Sequence, residues 1–535
     1  MSGAEAMVAL LKREGVAVVF GLPGVQIMAA IDAIYRDGSI RWISTRHEQT
    51  AAYMAYGYAR TTGKIGVAMV LPGPGALNTA AAIGTACTAS TPVLLISGQI
   101  ESYHLGFHRG VLHELDAQID IFRHLTKWCG RATKAEEIPQ ITAQALRELK
   151  SGRPRPVEIE VPFDLWPVEA GMSLPPTAGE APVKPDPADI KQAAAMLGSA
   201  RRPLILAGGG AARSEVSAEI TRLAGRLNAP IVMTTEGQGV IPADHPLSAG
   251  NFIFFLNPAF KEADVVLIVG SRLRSAGNQK LNLRPDQRVI QIDFEIDEIG
   301  RNHRIDLGIT ADAHNTLCAL VEALPSPTAS EWREKDVIAI RKKSRAMLEK
   351  AAPVQMEILD AIRSVMPDDG IIVPDITNLG YWSDIAFPVN RPRGNVDSSY
   401  FATLGFAFPT ALGARVGNPD RPVVALCGDG GFPYAAMELA TAVQEGINVV
   451  VLVFTDGAYG TVTGIQRREY GGRFVGNKLH NPDFARFAGT FGAAGIRLSH
   501  YKELGEKLGP ALAADCPTVI EVPVPRLEPP WNVLF

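Results

Sequence analysis

The sequence predicts an α/β protein of three Rossmann-like domains with parallel sheets, and three observations carry that expectation. Apolar runs of strand length alternate with helical segments through the first third of the chain, the pattern of a parallel sheet covered by helices on both faces. A second series of the same kind follows a stretch rich in Pro, Gly and Ala at 166–187, which reads as an extended linker. A third contains two apolar runs that pass straight into small or acidic residues: Gly428-Asp429-Gly430-Gly431 after 423–426, and Thr455-Asp456-Gly457-Ala458 after 448–454. The expected domains are 1–165, 186–325 and 350–535, within the roughly three to four domains that 535 residues accommodate.

In the first domain, helices are expected over 4–14 and within 28–35, and strands over 16–20 and 40–44. The turn Gly21-Leu22-Pro23-Gly24 joins the first strand to its helix. The strand at 40–44 runs into Thr45-Arg46-His47-Glu48-Gln49, and an Ala- and Tyr-rich helix is expected over 50–61. A strand at 65–71 then leads into Pro72-Gly73-Pro74-Gly75-Ala76-Leu77-Asn78, and further strands are expected at 92–97 and 154–162. Functional residues of an open α/β sheet lie at the C-terminal ends of its strands, which is where Glu48 falls. Taken alone, an acid there is most often an N-cap or a surface residue.

In the second domain, strands are expected at 203–206, 231–234, 265–269 and 289–293. Gly208-Gly209-Gly210 opens a helix, a placement that suits a nucleotide phosphate; a lone Gly triplet is weak evidence, and a purely structural centre is the preferred reading. A charged helical connector at 330–351 precedes the third domain. There a strand at 370–374 ends in Asp375-Ile376-Thr377-Asn378-Leu379, and 398–409 leads into a helix at 411–416. The glycines of Gly428-Asp429-Gly430-Gly431 let backbone N–H groups approach an anion, and a helix expected at 434–444 would face the same point with its N-terminus. If the strands at 423–426 and 448–454 are parallel neighbours, Asp456 stands beside Asp429. Two carboxylates flanking a diphosphate suit a hard divalent ion such as Mg²⁺. After Tyr459-Gly460, residues 461–480 are polar and Gly-rich, with Arg467, Arg468, Arg473 and Lys478. A last strand is expected at 518–522, before a tail at 525–535 that is too apolar to hang in solvent.

Composition excludes several classes. Hydrophobic residues make up 47% of the chain and charged residues 20%, so a large packed core is affordable without any membrane segment, and no apolar run reaches the ~18–20 residues of a membrane span. The first sixteen residues carry charges within an amphipathic pattern, unlike a secretory signal. Cys87, Cys129, Cys318, Cys427 and Cys516 are scattered without a paired spacing, which points to neither a disulfide framework nor a zinc site. A cytoplasmic location is the default. A net charge of −4 gives no reason to expect nucleic acid or an anionic membrane as partner.

The order of GDG, helix, strand, the pair Thr455-Asp456 and a Gly-Tyr-Gly-like turn resembles the thiamine diphosphate signature of the acetolactate synthase and benzoylformate decarboxylase superfamily. Upstream, the succession of strand, Arg46-His47-Glu48-Gln49, Ala-rich helix, strand, Pro-Gly-Pro-Gly and Asn78 resembles the pyrimidine-binding domain of the same enzymes. The resemblance spans nearly the whole chain and implies a pyrimidine-binding domain at 1–165, a central nucleotide-binding-like domain at 186–325 and a diphosphate-binding domain at 350–535. It implies thiamine diphosphate and Mg²⁺ as cofactors, with the metal held by Asp429, Asp456 and the carbonyl of Ala458. Thr455-Asp456 stands where the family has Asn-Asn; an Asp keeps the ligand oxygen and adds charge. Glu48 would bond the aminopyrimidine ring nitrogen and favour its imino tautomer. Leu404 would prop the cofactor's bent shape, the carbonyl of Ala402 would accept from its amino group, and Pro23, Asn78, Thr377, Asn378, Gly428, Gly430, Gly431, Tyr459 and Gly460 complete the implied cofactor set.

At the substrate, Val25 and Leu71 occupy places where relatives carry Ser, Gly, His or Thr, so this face is expected to be apolar. His113, followed by Glu114, is the candidate for acid–base work there. Gly270-Ser271-Arg272-Leu273-Arg274-Ser275 lacks the two acids of the family's FAD-contacting run, which argues against FAD. The implied activity is that of an acetolactate synthase-like carboligase or lyase acting on a 2-oxo acid or 2-hydroxy ketone through a C2-thiazolium enamine. The alternative is a non-oxidative decarboxylase, like benzoylformate decarboxylase, releasing aldehyde and carbon dioxide. The family completes its site between subunits, which implies a homodimer or homotetramer.

Overall fold

The apolar runs of the sequence are rich in Val, Ile, Leu and Ala, and each folds into a short strand with both faces covered. The structure is a computed structural model that describes residues 1–251, 257–273 and 283–534. The first sheet contains β1 (Val18–Gly21), β2 (Arg41–Ser44), β3 (Gly66–Val70), β4 (Val93–Gln99), β5 (Trp128–Arg131) and β6 (Val157–Pro162). Its order is β2-β1-β3-β4-β6-β5, with every pairing parallel. The second sheet contains β7 (Pro203–Ala207), β8 (Ile231–Met233), β9 (Ser248–Asn251), β10 (Val265–Val269), β11 (Arg288–Asp293) and β12 (Leu307–Thr310), in the order β12-β11-β10-β7-β8-β9, again all parallel. After the short strand β13 (Ile371–Pro374) come β14 (Val423–Gly428), β15 (Val450–Thr455), β16 (Ala494–Arg497) and β17 (Thr518–Pro523). These last four run side by side as β14-β15-β17-β16, also parallel. Non-consecutive neighbours joined by helical crossovers make each sheet doubly wound.

Two compact units emerge. One comprises Met1–Ala181, Asp375–Thr377 and Ser398–Arg526; the other comprises Pro182–Pro374, Asn378–Asp397 and Leu527–Phe535. The first unit thus holds β1–β6 together with β14–β17. Within it the helix Glu48–Thr62 has almost every residue buried, including Tyr53, Met54 and Tyr56. Burying side chains of that size contributes about 1.5–3 kcal/mol each. The helix packs backbone to backbone against Ala407–Gly417: a Cβ added at Gly57 would lie 2.0 Å from the Thr410 carbonyl oxygen, and one at Gly413 would lie 1.9 Å from that of Met54. Gly413→Ala is therefore expected to destabilise the protein by about 3 kcal/mol or more, because backbone on both sides must move. Chemical denaturation would check this, and a loss below about 0.5 kcal/mol would show that the helices separate freely.

Several elements differ from the sequence reading. The helix expected at 434–444 begins only at Leu439; two 3₁₀ turns, Phe432–Tyr434 and Ala436–Glu438, precede Leu439–Glu445. Pro433 withholds a backbone donor at that point, and Glu438 turns inward to accept from the backbone N–H of Arg46 at 2.9 and 3.1 Å and from the Thr441 hydroxyl at 2.6 Å. No long helix therefore points its N-terminus at the glycines. Glu48 is the first residue of its helix, two residues earlier than expected, with the His47 ring accepting from Gln49 N as the cap. β5, β9, β12 and β16 carry too few apolar residues to stand out from the sequence.

In the second unit, a Cβ at Gly208 would lie 2.4 Å from the Gly270 carbonyl oxygen, and one at Gly210 would lie 2.7 Å from Gly270 Cα. Close packing of two turns accounts for this glycine run. Arg274 and Ser275, part of the stretch compared with an FAD-contacting run, lie outside the described residues. Among the described residues no helix is long and apolar enough to cross a membrane.

Candidate active site

Two groups of residues gather at the C-terminal ends of the strands in the first unit. The first surrounds Glu48, which is 8% exposed. Its Oε2 accepts from the Asn78 side-chain amide at 2.9 Å. The turn at 72–75 makes room for this carboxylate: a Cβ on Gly75 would sit 3.5 Å from Glu48 Oε1 and 3.1 Å from Leu71 Cβ. Gly73 lies at φ +58°, a conformation that favours glycine, and caps the short helix Pro74–Asn78 that carries Asn78. Leu71 packs on Gly24, with its Cδ1 2.4 Å from where a Cβ would be. Val25 is 68% exposed, and Pro23 beside it is exposed.

His113 belongs to the same group. Its carbonyl oxygen lies 2.7 Å from the place of a Cβ on Gly73. His113 itself sits at φ +68°, and its Nδ1 is buried without a hydrogen-bond partner. A left-handed non-glycine residue with an unsatisfied buried nitrogen is strained, and such strain collects at functional sites. Glu114 turns away from this group: it accepts from the backbone N–H groups of Arg109, Gly110 and Val111 within its own loop.

The second group is built by β14 and β15. Their parallel register places Gly428 opposite Phe454, and Asp429 N donates to the Phe454 carbonyl at 3.0 Å. Asp429, 3% exposed, therefore stands beside the Asp456 turn. Its Oδ2 accepts from Gly457 N at 2.8 Å and from the Asn481 side-chain amide at 3.0 Å. Asp456 Oδ1 accepts from Ala458 N at 3.2 Å. Burial is the main cause that pushes the Asp429 carboxyl up to about 6, and the charge of Asp456 adds to it. The Tyr459 ring packs on Gly430, and Gly460 opens the helix Gly460–Glu469. Thr377 faces Gly428, with Cβ 3.4 Å from where a Cβ of that glycine would be, and Leu404 Cδ1 stands 3.2 Å from the same point on Gly431. Ala402 is left-handed at φ +53°, which turns its peptide groups out of regular pairing. Asn378 belongs to the second unit, where its side-chain amide donates to the Leu527 carbonyl at 2.8 Å.

Asp375 was not singled out by the sequence reading beyond its turn. It is 2% exposed, its Oδ1 accepts from Ile376 N at 2.7 Å and Gly405 N at 2.9 Å, and its Oδ2 is buried without a partner, 2.8 Å from the place of a Cβ on Gly431. Burial pushes it up to about 7. The fold thus favours the neutral acid: this contribution to stability is complete below the ordinary carboxylate range and is lost as pH rises through about 7. Asp375→Asn keeps an acceptor for both N–H groups and does not ionise. It is expected to come within about 1 kcal/mol of the wild type near pH 4 and to exceed it by up to about 4 kcal/mol at pH 8. Denaturation at the two pH values checks this; equal stabilities at pH 8 would refute it. Asn481 was also missed. It follows β15 by 26 residues, counted from Thr455 to Asn481, and only the fold of 477–481 over the turn brings it to Asp429, through Leu479 N to the Gly457 carbonyl and Tyr459 N to the Asn477 carbonyl, both at 2.9 Å.

Comparison with known proteins decides what these two groups belong to. Three models of the thiamine pyrophosphate enzymes match in succession: the N-terminal TPP binding domain over residues 1–121, the central domain over 190–320 and the C-terminal TPP binding domain over 375–522. The chain belongs to the thiamine pyrophosphate enzyme family. A probable acetolactate synthase large subunit of Methanocaldococcus jannaschii is 34% identical, covering 99% of this chain and 93% of the relative. A probable 2-ketoarginine decarboxylase AruI of Pseudomonas aeruginosa is also 34% identical, covering 98% of this chain and 94% of the relative. The acetolactate synthase isozyme 1 large subunit of Escherichia coli is 31% identical over 96% of this chain and 93% of its own length. This protein is accordingly a thiamine diphosphate-dependent enzyme of acetolactate synthase-like type. Within the family's N-terminal match lie Glu48, Asn78 and His113; within its C-terminal match lie Asp429, Asp456 and Asn481.

Proposed function

We propose that this enzyme forms or breaks carbon–carbon bonds of a 2-oxo acid or 2-hydroxy ketone, using thiamine diphosphate anchored by Mg²⁺. The observation that carries the choice of carboligation is the apolar wall beside Glu48, where Leu71 fills the space against Gly24 and Val25 presents an isopropyl group. Where Val25 and Leu71 stand, the wall offers no proton donor of its own, which favours capture of the activated carbon by a second carbonyl compound over its simple protonation.

The residues present fit the cofactor. Asp429, Asp456 and the Ala458 carbonyl are an all-oxygen donor set of the kind Mg²⁺ takes, and a cation held there would offset the cost of keeping the buried Asp429 carboxylate charged. Gly428, Gly430 and Gly431, with Thr377, would offer backbone and hydroxyl donors to a diphosphate, and Asn378 would join them. Leu404, the carbonyl of Ala402, Tyr459 and Gly460 would complete the hold on the cofactor. When bound, thiamine diphosphate supplies the nucleophilic carbon and the electron sink for cleavage beside a carbonyl. Glu48 holds and returns a proton at the aminopyrimidine ring nitrogen, with Asn78 fixing its carboxylate. His113, left-handed and with its Nδ1 buried without a hydrogen-bond partner, is the candidate for acid–base work at the substrate side.

Large apolar side chains near both groups are exposed in a single chain: Val25 at 68%, Met28 at 50%, Leu77 at 41%, Phe401 at 42%, Tyr434 at 56% and Met437 at 47%. Apolar surface of this extent marks an interface, which supports a homodimer, or a dimer of dimers, with each site completed by a second copy.

A second reading, decarboxylation to a free aldehyde, is favoured by the equal likeness to the probable 2-ketoarginine decarboxylase. Product analysis separates the two. With pyruvate, benzoylformate and glyoxylate as donors, with and without an aldehyde acceptor, acyloin or acetohydroxy acid formation supports the carboligase, and free aldehyde as the sole product supports the decarboxylase.

A further inference from the structure

Gln118 is wholly buried at the start of the helix Gln118–Arg123, and its carboxamide ties the turn at 72–75 to the sheet beneath it. Oε1 accepts from Gly73 N at 2.7 Å, while Nε2 donates to Ser97 Oγ at 3.2 Å and to the Gly98 carbonyl at 3.3 Å. The amide can sit only this way round, since Gly73 N–H can only donate and the Gly98 carbonyl can only accept. Below it, the Ser97 hydroxyl donates to Glu158, and Arg131 Nε donates to Glu160 at 2.7 Å, as does the Gln99 side-chain amide. Both glutamates are fully buried on β6, and Arg131 is anchored in turn to the Asp116 carbonyl at 3.2 Å.

A methionine or leucine would fill the place of Gln118 without the cost of burying polar groups. The network has a directional consequence instead. Gly73 caps Pro74–Asn78, and Asn78 holds Glu48. A chain of bonded or adjoining groups thus runs from Glu158 through Ser97, Gln118, Gly73 and Asn78 to Glu48. On its outer side the turn is held by the His113 carbonyl against Gly73, so Gln118 sets the height of the turn between two fixed neighbours.

We propose that Gln118 is a positioning residue for Glu48: its carboxamide fixes the turn at 72–75 so that Asn78 presents the Glu48 carboxylate to the aminopyrimidine. The inference rests on the reading of Glu48 given above, and concerns a residue that itself touches no reacting atom.

Two variants test it. Gln118→Met keeps the volume and removes both hydrogen-bonding functions. Gln118→Glu, when protonated, keeps the acceptor for Gly73 N and one of the two donors, and when ionised keeps that acceptor but turns a second one toward the Gly98 carbonyl and the buried acids. In the cofactor-free protein, hydrogen exchange of the 73–78 amides is expected to quicken about tenfold in Gln118→Met, with strands of the second sheet unchanged, as for loss of one or two buried hydrogen bonds. With Mg²⁺ present, thiamine diphosphate is expected to bind about tenfold more weakly, and the near-ultraviolet circular dichroism of the aminopyrimidine is expected to lose the signal that Glu48→Gln also abolishes. Gln118→Glu is expected to bind cofactor like the wild type at acid pH and progressively worse as pH rises, a profile that mere loss of packing does not give. Unchanged exchange at 73–78 in Gln118→Met, or loosening spread evenly over β1–β6, overturns the proposal, as does a pH-independent deficit in Gln118→Glu. A wild type that binds no thiamine diphosphate sinks the reading of Glu48 itself; normal wild-type binding with unaltered variants sinks only the part assigned to Gln118.

Discussion

Glu48→Gln is expected to lower turnover by about 10²–10⁴-fold, the usual contribution of a positioned general acid–base, while the protein melts close to the wild-type temperature. The asymmetry follows from the surroundings of the side chain. Its Oε2 accepts from Asn78, and a glutamine carbonyl accepts the same bond in the same volume, so no buried donor is orphaned. What is lost is the ability to hold and return a proton. Glu48→Ala differs, because the Asn78 amide then lacks its partner and a stability loss of about 1–3 kcal/mol joins the loss of activity. Initial rates with saturating cofactor, read beside thermal melts of both variants, check the pair. Turnover of Glu48→Gln within a few-fold of wild type would remove Glu48 from the chemistry.

Asp429→Ala is expected to weaken binding of thiamine diphosphate and Mg²⁺ by more than about 100-fold, beyond what is typical for residues that only support a ligand. Asp429 is the buried member of the proposed metal set, and it also accepts from Gly457 N and the Asn481 amide. Removing it takes away a ligand oxygen and leaves the turn at 456–458 without its inner anchor. Asp456→Asn is the informative counterpart, since it restores the residue that the wider family carries. The amide oxygen still ligates and one negative charge is gone, so Mg²⁺ binding is expected to change by no more than about tenfold. Calorimetric titration of Mg²⁺ and cofactor into each variant measures both effects. Equal, modest losses in the two variants would show that neither aspartate holds the metal.

How much of this was legible in the sequence depended on whether a signal was local. β3, β10 and β14 announce themselves as apolar runs of strand length, Val-Ala-Met-Val, Val-Val-Leu-Ile-Val and Val-Val-Ala-Leu-Cys. β9, Ser-Ala-Gly-Asn, and β16, Ala-Gly-Ile-Arg, do not, because their burial comes from neighbours and not from composition. The pairing of Asp429 with Asp456 could be anticipated because parallel neighbours fix the register of their ends, and the register observed is the one that this argument needs. The helix expected at 434–444 failed for a reason also present in the sequence, Pro433, but its full cause is long-range: Glu438 is drawn to a backbone N–H 392 residues away, at Arg46. Asn481, Asp375 and Gln118 share that property. Each acts through a partner brought near by the fold, so nothing in its own vicinity marks it. His113 was legible as a residue type suited to acid–base work, but the unsatisfied buried nitrogen that sets it apart from His104 and His108 appears only in three dimensions.

The account assigns Glu48 and Asp429 to one active site, completed by two copies of the chain, and complementation between dead variants tests this most directly. Glu48→Gln and Asp429→Ala are prepared separately and shown to be inactive, then co-expressed so that subunits pair at random. A mixed dimer places both lesions in one of its sites and leaves the other with an intact Glu48 and an intact Asp429. Recovery of about a quarter of the wild-type activity is expected, because about half of the dimers are mixed and each carries one restored site. Mixed dimers, verified by distinct affinity tags, that remain as inactive as their parents would contradict a site shared between two copies.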